Sequence, residues 1–131
     1  MLKLRAVTVD TEGQWFDFTV QGETVRLKIR PLNTEMVNAI RDRYKKIKKV
    51  NGFTMPEYDE KKIVDDMADH VLEDVEGIGD EAGKPLAVNL QNKKRVMNIP
   101  PAEGEQPISE FIYEKARELC IIREEEQEKN S

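Results

Sequence analysis

One cysteine and one histidine among 131 residues leave little room for metal or thiol chemistry. Cys120 alone closes no internal disulfide and supplies no multi-cysteine zinc site, and the sequence places no activating base beside it. Such cysteine usage fits a reducing interior such as the cytoplasm. His70 follows Asp66 by one helical turn, but the neighbourhood offers no third ligand of the usual kind, so no metal is expected. No serine sits in an elbow motif and no nucleophile has a base in sequence, so no catalytic residue, no cofactor and no enzymatic activity are expected. Long apolar runs are also lacking. No stretch approaches the roughly 18 residues of a spanning helix. The opening "MLKLRAVTVD" has neither the apolar run nor the small-residue cleavage site of a secretory signal. The expectation is a soluble chain with no membrane partner.

Charge, by contrast, is plentiful. Charged residues make up 36% of the chain and apolar residues 38%, so a modest core beneath a dense ionic surface is expected. The length suits one domain, burying roughly two-thirds of its unfolded surface. The net charge of −5 conceals an asymmetry: residues 1–55 carry 11 Lys+Arg against 6 Asp+Glu, and residues 56–131 carry 10 against 20. Such a dipole favours oriented contact with a charged partner or with another copy of the chain.

Along the chain, "WFDFTVQGETVRLKIRPL" alternates as a hairpin does, with Phe16, Phe18 and Val20 on one arm and Val25, Leu27 and Ile29 on the other. Gly22-Glu23 suits a two-residue turn, and Val7 and Val9 offer a third strand. One face of this ribbon is apolar and the other basic. After it, Asn33 can cap a helix with the stripe Met36, Val37, Ile40, Tyr44 and Ile47, ended by Asn51-Gly52. Thr54 and Glu57 have the spacing of a capping box for a second helix, with the stripe Ile63, Val64, Met67, Val71, Leu72 and Val75. A short helix capped by Asn89 stops before Pro100-Pro101, and Pro107 starts a final helix bearing Ile108, Phe111, Ile112, Ala116, Leu119 and Ile122. The expected architecture is α+β: an N-terminal antiparallel hairpin of two or three strands (1–32), then a mostly helical body of three to four helices. That body divides into two helices (33–76), a turn, short helix and Pro-rich connector (77–107), a final helix (108–127) and a frayed tail (128–131).

Two stretches invite a chemical reading. "DVEGIGDEAGKP" places acids and a glycine where a calcium hand begins, but Ile78, Ala82 and Pro85 occupy positions that need oxygen ligands. Its glycines miss the dinucleotide spacing by one residue, and its acids would repel a pyrophosphate. It reads as a turn. "RDRYKKIKK" sets Arg41, Arg43, Lys45, Lys46, Lys48 and Lys49 against Asp42 alone, on what reads as the polar face of a helix. Such a face can meet an acidic protein, or grip phosphates in a salt-sensitive way, although no aromatic platform is interleaved and the chain as a whole is acidic.

The second half, roughly residues 60–131, resembles the tail assembly chaperones of long-tailed (siphovirus-type) bacteriophages and prophages. In that family a helix leads into a W-x-G-x-x-D-x-x-G-x-P segment, then to a final helix with a charged tail ending in Lys-Asn. Gly77, Asp80, Gly83 and Pro85 match that segment as structural turn residues, while Val75 stands where many members carry tryptophan. The resemblance implies a non-enzymatic protein of the bacterial host cytoplasm. Such a protein binds the tape-measure protein, keeps its apolar helical segments soluble and aids polymerisation of tail-tube subunits. It also implies a short form and a frameshifted long form. Glu128-Lys129-Asn130 can be encoded as GAA-AAA-AAC, which contains a slippery A-AAA-AAC, so this chain is expected to be the short form. The partner surface is expected at Arg41, Lys45, Lys48 and Lys49 on the basic helix, and at Phe111, Tyr113, Ile121 and Ile122 on the final helix, with self-association as a further possibility. The rival readings are a structural tail or head–tail component retained in the virion, and a small nucleic-acid-binding regulator using the basic segment 41–49.

Overall fold

The computed structural model describes residues 12–129, with side chains as far as Ile121. The chain is α+β, as its patterning suggests, with the N-terminal hairpin first and four helices after it. Strands β1 (Gln14–Val20) and β2 (Glu23–Ile29) pair antiparallel, with Phe16 opposite Leu27 and Phe18 opposite Val25. The turn lies one residue earlier than expected, at Gln21-Gly22, because Val20 pairs with Glu23. Both turn residues hold positive φ (52° and 78°), the primed geometry whose twist matches the strands. The third strand of this sheet comes from later in the chain. It is β5 (Leu72–Glu76), giving the order β1-β2-β5. Val7 and Val9 lie outside the described residues.

β2 is therefore the central strand, and its two faces differ completely. Val25, Leu27 and Ile29 point inward and are all buried, Leu27 and Ile29 fully. Arg26, Lys28 and Arg30 point outward, where acids from both neighbours meet them. Arg26 lies 3.5 Å from Asp17 of β1 and 3.0 Å from Glu76 of β5, with its guanidinium 4.9 Å from the Trp15 ring centre. A register shift in β5 inserts Glu73 between the pairs Lys28↔Asp74 and Ile29↔Leu72. Bulges re-aim side chains, and this one sends the Glu73 carboxylate to Arg30 (3.0 Å) and Lys28 (3.3 Å). Burial by itself would raise the Glu73 pKa, but hydrogen bonds from Arg30 and Lys28 outweigh it and hold the carboxyl below its ordinary range.

Helix α4 (Ile108–Lys129) crosses the apolar face, burying Ile108, Ile112, Ala116, Leu119 and Cys120. Its Phe111 ring packs 4.4 Å from Phe18 and edge-on to Phe16 at 6.4 Å. Helix α3 (Leu90–Met97) begins at the expected cap, with Asn89 accepting from the Asn92 amide, and adds Val96 to the core. The connector after α3 is fastened to the hairpin turn. Glu105 accepts from the amides of Gln21 (2.7 Å), Gly22 (3.3 Å) and Ala102 (2.8 Å), and Gln21 donates its side-chain amide to the Pro100 carbonyl.

Two expectations in the 33–76 region are corrected. Helix α1 (Thr34–Arg43) starts at Asn33 as expected but stops at the Tyr44 cap. Residues Lys45–Val50 form strand β3, paired antiparallel with β4 (Phe53–Tyr58) around Asn51-Gly52. Asn51-Gly52 does not end a helix. Its φ values of 52° and 82° make it a primed hairpin turn, the conformation Asn-Gly adopts most readily. Thr54 and Glu57 accordingly lie in a strand rather than a capping box. Helix α2 (Glu60–Val71) is capped by Asp59, which accepts from the Lys62 amide. Ile63 and Val71 of the expected stripe are buried, Val64 is exposed, and Leu72 and Val75 belong to β5.

Two measurements test this frame. Leu27→Ala should lower stability by about 2–5 kcal/mol, since it empties the centre of a close-packed core, read as a lower urea midpoint with an unchanged slope. Glu105 should titrate below the ordinary carboxylate range, because the Gln21 and Ala102 amides favour its charged form. A depressed folded-state pKa contributes stability above the unfolded value that disappears as pH falls through the folded one. The protection of the Gln21 amide relative to its intrinsic exchange rate at the same pH should therefore fall in acid, and Glu105→Gln should remove that dependence; a Glu105 carboxyl titrating at the ordinary value would contradict the arrangement.

Candidate functional site

The Asp74–Pro85 stretch folds as a latch. Gly77 leaves β5 with φ 85°, and a Cβ there would stand 3.4 Å from the Thr24 carbonyl oxygen and 3.5 Å from the Val25 Cα. The positive φ favours glycine, and a Cβ there would only reach ordinary van der Waals contact with the β2 backbone. Asp80 organises the loop beyond it: its Oδ1 accepts from the amides of Ala82 and Lys84, both at 2.9 Å, and its own amide donates to the Lys84 carbonyl at 2.7 Å. The Gly83 amide returns to the Asp80 carbonyl at 2.9 Å, Gly83 holds φ 79°, and Gly79 bridges Pro85. Asp80 thus commits its acceptor to the loop's own backbone. Gly77, Asp80, Gly83 and Pro85 act together as one structural unit.

The polar groups singled out in the sequence are dispersed. Asp66 accepts from the Tyr44 hydroxyl (3.0 Å) and Arg43 (3.2 Å), and the first of these raises the Tyr44 pKa. The His70 Nε2 lies 3.1 Å from the Pro31 carbonyl oxygen, to which it donates when protonated. Among the described residues no three His, Cys, Asp or Glu side chains converge as metal ligands. Cys120 is buried. A shallow depression along α3 is lined by Leu90, Lys94, Arg95 and Ile99. Its cations are already engaged, Lys94 with Asp65 at 3.0 Å and Arg95 with Glu81 at 3.5 Å.

The expected partner residues divide into two groups. Phe111 is half-buried between Phe16 and Phe18 and Tyr113 packs against the core, where burial pushes its hydroxyl pKa up. Both therefore serve the fold. Ile121 is 51% exposed, and Ile122 lies beyond the residues whose side chains are described. On the basic segment, Arg41 pairs with Glu60 (3.5 Å) and stacks 4.5 Å over the Tyr58 ring. Lys45, Lys46, Lys48 and Lys49 are different. All four are exposed on β3 and none has an ion-pair partner among the described residues.

The β3–β4 ribbon rises between α1 and α2. At its base the Asp59 amide donates to the Tyr44 carbonyl (3.1 Å). It forms a sheet of its own, and every residue from Lys45 to Glu57 is exposed. The exposure includes large apolar groups: Ile47 at 72%, Phe53 at 73% and Met55 at 54%. Sequence reasoning found the lysines but put them on a helix, and so missed Phe53 and Met55. The signal that could have found them is Asn51-Gly52 between two short apolar-containing runs. No family model, curated protein or solved structure matches this chain. Asp80→Ala should release the latch while leaving the ribbon intact, lowering stability by about 1 kcal/mol for the lost hydrogen bonds and accelerating amide exchange at Ala82 and Lys84 but not at Val50 or Phe53.

Proposed function

We propose that this protein is a tail assembly chaperone of a long-tailed bacteriophage or prophage. It acts in the bacterial host cytoplasm, where it binds the tape-measure protein and aids polymerisation of tail-tube subunits. The observation that carries this reading is the exposed β3–β4 ribbon, with Ile47, Phe53 and Met55 displayed among four lysines that have no ion-pair partner among the described residues. A client kept soluble during assembly needs apolar surface shared with it and charge to keep the complex dispersed. The ribbon supplies both. Further support comes from the latch at residues 77–85, in which Gly77, Asp80, Gly83 and Pro85, the residues that resemble the family segment, serve one structural purpose.

The test is co-expression with the tape-measure protein encoded beside it. The client should remain soluble and co-purify with this chain, and should aggregate when expressed alone. A client equally soluble alone, with no complex recovered, would count against the role. Purified virions should lack the chain; abundance in mature tails would favour a structural component instead. The short-form assignment predicts a slippery codon run at Glu128–Asn130 and an overlapping −1 frame.

A further inference from the structure

The ribbon's two edges are unequal. Around a two-residue turn, Val50 and Phe53 exchange both hydrogen bonds, and pairs then alternate between bonded and non-bonded along the ladder. The non-bonded pairs are Lys49↔Thr54, Ile47↔Pro56 and Lys45↔Tyr58. In those residues the backbone N–H and C=O groups point away from the partner strand. On β4 the outward set includes Pro56, which has no N–H, so that edge is blunted. On β3 the outward set is Lys45, Ile47 and Lys49, each with its donor intact. Among the described residues no strand pairs with that edge.

The other basic strand of the chain shows what such a strand is paired with. β2 carries Arg26 and Lys28, with Arg30 just past its end, and its neighbour β5, "LEDVE", supplies Glu73, Asp74 and Glu76 to that face and Leu72 and Val75 to the other. β3, "KKIKKV", also mixes cations with apolar groups, but its paired neighbour β4 sets a single acid, Glu57 opposite Lys46, against four lysines, and no acidic strand lies along its other edge among the described residues. A second copy of β3 would set lysines against lysines, which disfavours edge-to-edge pairing.

We infer that the free edge of β3 accepts an extended segment of a partner protein in which pairs of acidic residues alternate with single apolar ones, adding a third strand to the ribbon. Cross-strand neighbours fix that pattern. Acids lie opposite Lys45, Lys46, Lys48 and Lys49, and apolar residues lie opposite Ile47 and Val50. Backbone bonds to Lys45, Ile47 and Lys49 supply the affinity and the lysines supply the selection. The inference holds for any partner with that segment and does not require the assembly role above. Polyanionic nucleic acid fits less well, because the ribbon is only +3 (four lysines against Glu57) on a chain of net −5, leaving the remainder at −8.

The probe is a synthetic peptide, TVEEIEET, with TVKKIKKT and a glutamate homopolymer as controls. TVEEIEET should bind at least about tenfold more tightly than either control, a difference of about 1.4 kcal/mol. At saturation the amides of Lys45, Ile47 and Lys49 should gain protection from hydrogen exchange. Ile47→Pro removes one outward donor without touching a β3–β4 bond, and should weaken binding about tenfold or more while Val50 and Phe53 stay protected. Lys46→Glu with Lys48→Glu should shift preference toward TVKKIKKT. The proposal is overturned if no binding is seen at millimolar peptide, or if TVEEIEET binds while those three amides remain unprotected. Equal binding by Ile47→Pro with an intact ribbon overturns it as well. Tighter binding to duplex DNA than to TVEEIEET would assign the ribbon to nucleic acid. These readouts are independent of the tape-measure co-expression, so either idea can fail alone.

Discussion

Strand β2 has to satisfy two incompatible environments with alternating residues, and most of the fold answers that constraint. Val25, Leu27 and Ile29 need a dry cover, while Arg26, Lys28 and Arg30 need anions and water. Because side chains alternate with period two, a slip of one residue would put every cation in the core and every aliphatic in solvent. The register is therefore held from both sides. α4, seated on the phenylalanines of β1 that extend the same apolar face, covers one side, and the acids of β1 and β5 meet the other.

Other elements inherit their positions from that register. The bulge in β5 exists where Leu72 must face the core while Glu73 and Asp74 stay on the basic side, so one strand serves both faces at unequal spacing. Gly77 then leaves β5 against the Val25 backbone, which fixes where the latch begins. At the same end of β2, Glu105 grips the amides of the Gln21-Gly22 turn and so sets the connector that delivers α4 back onto the sheet. The connector and the helix it feeds are thus both referenced to the hairpin they cover.

How much of this was legible depends on what each signal competes with. The first hairpin was readable because strict alternation over both arms has no helical counterpart, and Asn33 and Asn89 were readable because a side-chain cap is a local matter. β5 was not, since "VLEDVE" continues the apolar spacing of α2 and only a distant partner, β2, pulls it into a strand. The segment 45–58 failed for a different reason. Ile40, Tyr44 and Ile47 fall at helical spacing and lysine is a good helix former, so the pattern outvoted Asn51-Gly52. Tyr44 does face the neighbouring helix through Asp66, but Ile47 faces solvent, and a stripe position that covers nothing gives a helix no support. The exposed ribbon was therefore half visible: its lysines stand out in any reading, while Phe53 and Met55 join them only when the chain turns back.

That failure also bears on what the ribbon is for. A two-stranded ribbon exposed on both faces has no core of its own and is marginal in isolation. Its conformation is held from the base, by the Asp59–Tyr44 backbone bond, the Tyr44–Asp66 hydrogen bond and the Arg41 guanidinium over Tyr58. Anchorage of this kind fixes where the ribbon projects but adds nothing to burial along its length. A third strand would provide what the sequence withholds, satisfying the outward backbone groups of β3, neutralising its lysines and covering Ile47. Since lysines guard edges against like copies, the same four residues that disfavour pairing of β3 with a second copy would favour a strand of opposite charge, as proposed above. Solubility and recognition are then one property of one strand, and a substitution that neutralises β3 changes both together.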